Sequence, residues 1–209
     1  MVAFIKFRIR LIGSLEFGLH FFFRCLQALD IFGGSDSLMY TRLRDDLGLV
    51  YSAGFFQTYK WNAGLLVGYI GCKGDRTPTA LSETVKIMRS LQEDVPRQDM
   101  ALKRLEALNS FVFNVDTPAD LVTTYSRYHL RGEPLDTLEK IQEAYLGTDR
   151  AHLLNLAKTH LNAGALQIFV VADKATPLNR TDTKVKTLED DLKVLANRLG
   201  LPYREIELR

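Results

Sequence analysis

The sequence is poor in the residues that anchor metal, thiol or nucleic-acid chemistry. Its two cysteines, Cys25 and Cys72, show neither C-x-x-C spacing nor a nearby histidine, so both read as small buried hydrophobes. A disulfide between them stays open, since pairing is a matter of geometry. Four histidines, His20, His129, His152 and His160, fall in no H-x-x-E-H or H-E-x-x-H arrangement. His152 and His160 stand two turns apart on one expected helix, too far to share a metal, so all four take structural or surface roles. No G-x-S-x-G elbow and no glycine-rich phosphate loop is present. Cys72 beside Lys73 raises an activated thiol, but its strand context favours burial.

Charge is nearly balanced, at a formal +2, and the basic residues are scattered. That argues against nucleic acid as a partner. No apolar run reaches the roughly 18 residues a membrane-spanning helix needs. The first two dozen residues are apolar and basic, but Glu16, His20 and Arg24 break the apolar stretch and no small-residue cleavage site follows. With no clear leader, periplasmic and cytoplasmic placements are both open.

What is present belongs to a globular protein: 46% hydrophobic and 25% charged residues. A chain of this length buries about 70% of its unfolded surface, so its core needs no metal or disulfide. One domain over residues 1–209 is the expectation, with a polar linker over 174–186 before a C-terminal helix and strand. Residues 2–12 read as a strand and 19–31 as a helix closed by Gly33-Gly34, and Ser35-Asp36-Ser37 supplies caps for the next. Met39, Leu43 and Leu47 form a buried stripe there, ended by Gly48 in a left-handed conformation.

Residues 49–57 and 63–72 form a hairpin around Lys60 and Asn62. Thr77-Pro78 and Thr117-Pro118 start helices. The expected buried faces are Leu81, Val85 and Met88, then Leu105, Leu108 and Val112 behind Pro96, then Leu121, Tyr125 and Tyr128. Shorter helices follow over 138–145 and, capped by Thr148, to about residue 161. The run over 165–172 reads as a central strand covered on both faces. Thr187 and Asp190 form a capping box for a helix ended by Gly200, and residues 203–208 alternate as a last strand. Strands and helices that do not strictly alternate imply an α+β domain with a largely antiparallel sheet flanked by helices.

One segment, GGSDSLMYTRLRDDLGLVYSAG, carries candidate chemistry. Arg44 lies near the end of its helix and Tyr51 near the start of the next strand, with the Gly48 turn between them. A guanidinium and a phenol on rigid elements suit a peptide carbonyl or a developing oxyanion. The plainer alternative pairs Arg44 with Asp45, Asp46 or another acid and sends Tyr51 into the core.

The spacing R-x-x-x-x-G-L-x-Y, with Gly33, Gly34, Ser37, Met39, Tyr40, Arg44, Gly48, Leu49 and Tyr51 in register, resembles the inactive half of the pitrilysin/insulinase zinc metallopeptidases. The likeness runs over about residues 26–173 and returns in the closing LGLPYREIEL; residues 1–25 match poorly. Arg42 departs from the pattern, which usually has an acid there.

The resemblance implies a half-domain that encloses a chamber with a homologous half. The partner bears H-x-x-E-H and zinc, which lowers the pKa of its bound water to about 7, while Arg44 and Tyr51 contact the peptide substrate. This chain would hold no metal and be inactive alone. An isolated half also exposes its mating surface, so self-association is expected. A structural member without proteolytic role, like the core subunits of respiratory complexes, is the second reading. A module that adds peptides to a sheet edge is the third.

Overall fold

The computed structural model describes residues 2–9, 38–60, 63–94, 100–113, 115–130, 132–161, 166–178 and 187–206. The strand β1 (Val2–Ile9) opens it. A short helix α1 (Leu38–Tyr40) runs on as a π-helical turn over Thr41–Asp46. The hairpin strands are β2 (Val50–Lys60) and β3 (Ala63–Cys72). Helices α2 (Thr77–Glu93), α3 (Met100–Val112), α4 (Pro118–Leu130), α5 (Thr137–Gly147) and α6 (Arg150–His160) follow. The edge strand β4 (Leu166–Val171) and helix α7 (Leu188–Leu199) complete the set. The expected helix over 19–31, its Gly33-Gly34 stop, the Ser35-Asp36-Ser37 caps, Asn62, Pro96 and residues 179–186 lie outside the described residues.

The four described strands run antiparallel in the order β2-β3-β1-β4. This is the α+β arrangement with an antiparallel sheet that the sequence implied. One sheet face carries Ala53, Ile70 and Cys72 into the main core, where Leu81, Val85 and Met88 of α2 and Leu153 and Leu156 of α6 meet them. Burying each such side chain is worth about 1.5–3 kcal/mol, which fixes the helix layer on that face.

A second cluster stands apart: Phe111, Leu138, Ile141, Ala144 and Tyr145, with Leu108, Tyr125 and Tyr128 packed against it. Phe111 and Tyr145 meet edge to face with centroids 6.2 Å apart. The face expected for α3 is therefore rotated. Leu105 and Val112 are exposed and Phe111 is the buried anchor, while Leu121 on α4 also faces solvent. Apolar spacing fits more than one helix face when the chain offers leucines and aromatics on several sides, and the larger aromatic wins the interior.

Among the described strands, the run ending in VVA lies at an edge and not at the centre. Its burial alternates, with Leu166, Ile168 and Val170 packed inward and Phe169 and Val171 exposed. A near-continuous apolar run is ambiguous because the pleat hides one residue in two whatever their chemistry. Residues 203–206 form no strand and lie exposed, held instead by Lys174 to Glu205 (2.5 Å) and by Lys193 over the Tyr203 ring.

Two capping hydroxyls behave as expected. The Asp120 N–H donates to Thr117 Oγ1 at 3.2 Å, and the Asp190 N–H to Thr187 Oγ1 at 3.3 Å. Two others do not. A 3-10 turn over Gly74–Arg76 moves the start of α2, so Thr77 is already helical and its hydroxyl donates back to the Lys73 carbonyl at 3.1 Å. Thr148 likewise donates to the Ala144 carbonyl at 2.7 Å, and Asp149 caps α6 by accepting the His152 N–H at 2.8 Å.

Candidate functional site

The site grows from the end of α1. Met39 and Leu43 are fully buried, so this helix is pinned to the core along one side and presents Arg44 on another. Its final turn is π-helical, and it closes with a nested pair of backbone hydrogen bonds. The Leu49 N–H reaches the Leu43 carbonyl at 2.8 Å and the Gly48 N–H reaches the Arg44 carbonyl at 3.0 Å. Each bond spans one residue more than in a Schellman end, as the wider π turn requires. Gly48 sits at φ 58°, the left-handed region where glycine is favoured, as the sequence led to expect.

Strand β2 begins with a bulge. Val50 pairs with Cys72 and Ser52 with Gly71, so Tyr51 is the extra residue. Val50 and Ala53 both point into the core, and the two residues between them therefore share the outer face. Both close over Gly71: a Cβ at that position would meet Ser52 Oγ at 2.5 Å and Tyr51 Cε2 at 2.7 Å. Tyr51 is 57% exposed on this outer face, the same face that carries Phe169 and Val171. Gly68 serves the opposite face, where the Phe55 ring lies across it. Gly68 and Gly71 thus mark ring crossings on β3, and the bulge lies on the neighbouring strand.

The Gly48 turn brings the two predicted residues together. Arg44 Nη1 donates to the Tyr51 backbone carbonyl at 2.8 Å, and its guanidinium carbon lies 5.1 Å from the Tyr40 ring centroid. A guanidinium has five N–H donors, and the Tyr51 contact uses one. Of the two acids that follow Arg44, Asp46 accepts from Arg42 at 3.0 Å, which gives the unexpected Arg42 an i,i+4 role on the surface. Sequence reasoning placed Arg44 and Tyr51 but gave Tyr40 and Gly71 no function. The aromatic four residues before Arg44 was the available signal for the first.

Cys72 is buried, and burial pushes its thiol above the usual range despite the Thr77 hydroxyl 3.3 Å from its sulfur. It is a core residue, not a nucleophile. Cys25 and His20 lie outside the described residues. His152 stays beside Asp149, the cap of its own helix, with Nδ1 2.9 Å from the carboxylate. Among the described residues no three histidine, cysteine or carboxylate side chains gather as a metal would need. No helix among them is long and apolar enough to cross a membrane.

The family profile described as Peptidase M16 inactive domain matches residues 23–105. No curated protein sequence matches the chain. Among solved structures, a protease from Helicobacter pylori superposes with a TM-score of 0.68 at 12% identity, over 80% of this chain and 39% of its own. The peptidase M16 inactive domain from Pseudomonas fluorescens gives 0.68 at 15%, over 80% and 40%. The inactive peptidase domain of a protein described as a zinc protease from Bordetella parapertussis gives 0.69 at 12%, over 87% and 95%. The chain thus spans about two fifths of the first two and nearly all of the third. The profile match over residues 23–105 and the shared fold over 80% or more of the chain make it similar to the inactive domains of M16 peptidases.

Proposed function

We propose that the chain is the substrate-binding half of a two-part zinc endopeptidase. Arg44 and Tyr51 donate hydrogen bonds to the peptide, and an H-x-x-E-H-bearing subunit or domain supplies the metal. The observation that carries this reading is the junction itself. A guanidinium tied to the Tyr51 carbonyl at 2.8 Å stands beside an exposed tyrosine on the sheet face turned away from the core.

When a peptide carbonyl is attacked, negative charge collects on its oxygen. Donors already fixed in place stabilise that charge without reorganising. A guanidinium is a cationic fork of donors, and the Tyr51 phenol adds a further one. Both stand on elements anchored by buried residues, Met39 and Leu43 on one side and Val50 and Ala53 on the other. The exposed Phe169 and Val171 extend the same face as a wall for an apolar stretch of substrate.

The test begins with capture of an H-x-x-E-H protein by the tagged chain from its own cells. Turnover of an unstructured peptide by the pair is then compared for wild type, Arg44→Ala and Tyr51→Phe. Loss of one oxyanion donor costs about a hundredfold. A pair in which both variants cleave like wild type removes the proposed role.

A further inference from the structure

We infer that Tyr40 and Gly71 are positioning residues for Arg44 and Tyr51: Tyr40 braces the guanidinium, and Gly71 leaves the room in which the Tyr51 ring lies. The inference rests on the peptide-binding reading of that pair.

An arginine head on a long stem sweeps many rotamers, and a donor is useful only if it waits in place. Here the head is held at two points. The Tyr40 ring lies 5.1 Å from the guanidinium carbon, inside the roughly 6 Å range of a cation–π contact, and the Tyr51 carbonyl fixes one nitrogen. Tyr40 precedes Arg44 by four residues on the same short helix, whose other side is locked by Met39 and Leu43. The ring is therefore a fixed platform.

Tyr51 is placed by an absence. The bulge turns both Tyr51 and Ser52 to the outer face opposite a single residue, and only a residue without a side chain fits under both. Positive φ among the described glycines is confined to Gly48, Gly132 and Gly200, so Gly71 is not required by its backbone. Gly71→Ala thus tests space alone, and the added methyl displaces the Tyr51 ring.

The test uses the full chain first. By NMR, the Arg44 side-chain protons should carry a ring-current shift that Tyr40→Leu abolishes and Tyr40→Phe keeps. Tyr40→Met, which has volume but no ring, takes the place of Tyr40→Leu if that variant unfolds. In 3-fluorotyrosine-labelled protein, the Tyr51 signal, assigned with Tyr51→Phe, should move in Gly71→Ala. With the captured partner and an internally quenched unstructured peptide, Tyr40→Leu should lower kcat/KM about fivefold, Tyr40→Phe should restore it, and Tyr40→Leu should add nothing in an Arg44→Ala background.

Unmoved Arg44 shifts in Tyr40→Leu, an unmoved Tyr51 signal in Gly71→Ala, or full additivity of Tyr40→Leu with Arg44→Ala would each overturn the inference. If Arg44→Ala itself leaves turnover intact, the peptidase reading falls instead, and the NMR shifts report separately whether the brace exists.

Discussion

A few single residues decide where the site can be. Gly48 turns the chain from helix to strand in the left-handed region, and a Cβ there would meet nothing within 4 Å, so any cost of substitution comes from the backbone alone. Gly48→Ala should therefore lower stability by about 1–2 kcal/mol in chemical denaturation, with an unchanged denaturant slope. Leu43 is the opposite case, a fully buried side chain in the main core. Leu43→Ala should cost about 2–5 kcal/mol and, because it anchors the helix that carries Arg44, should also loosen the site. At this scale the sequence was most informative. The interval from Arg44 through Gly48 to Tyr51 is short, and one glycine with an obligatory conformation leaves little choice of where its ends point. What stayed hidden was the bulge, because a one-residue slip in strand pairing leaves no mark in composition or alternation. The space that Gly71 leaves beneath Tyr51 was hidden with it.

At the scale of elements, helix ends provide the clearest measurements. Thr187→Ala removes the hydroxyl that caps α7 and should cost about 1 kcal/mol, read from thermal or denaturant unfolding. The α6 cap is pH-dependent. Hydrogen bonding from the His152 backbone N–H, with help from the His152 ring, holds the Asp149 carboxyl below its ordinary range. A folded-state pKa lower than the unfolded one gives stability that is present above the unfolded value and lost as pH falls through the folded value. Protection of the His152 amide against hydrogen exchange should accordingly be constant near neutrality and fall on acidification through the carboxylate range. Protection that stays level down to strong acid would contradict the cap. The sequence misplaced this cap by one residue, since Thr148 and Asp149 are both good candidates. Which one stands outside the helix depends on the turn before it.

At the scale of the molecule, the buried apolar residues among those described fall into two clusters. The main core fastens α2, α6 and α7 to the sheet, whereas Phe111, Ile141 and Tyr145 gather α3 to α5 separately. No residue of α4 is fully buried. Native-state hydrogen exchange should find α3 to α5 opening at lower free energy than β2, β3 and α2. Equal protection of both groups would show a single cooperative unit. The α+β class and the antiparallel hairpin were legible from strand and helix periodicity, and the family likeness from the Arg44 to Tyr51 spacing. The edge position of β4 among the described strands and the rotated face of α3 were not, because each depends on which neighbours compete for the interior.

The central claim is that Arg44 works on a peptide held between this chain and a metal-bearing partner. Single-turnover cleavage of one peptide by the assembled pair, with Arg44→Ala set beside wild type at saturating substrate, reads that claim most directly. The account predicts a chemical step slowed by about two orders of magnitude with the pair still assembled. An equal rate in both would contradict it.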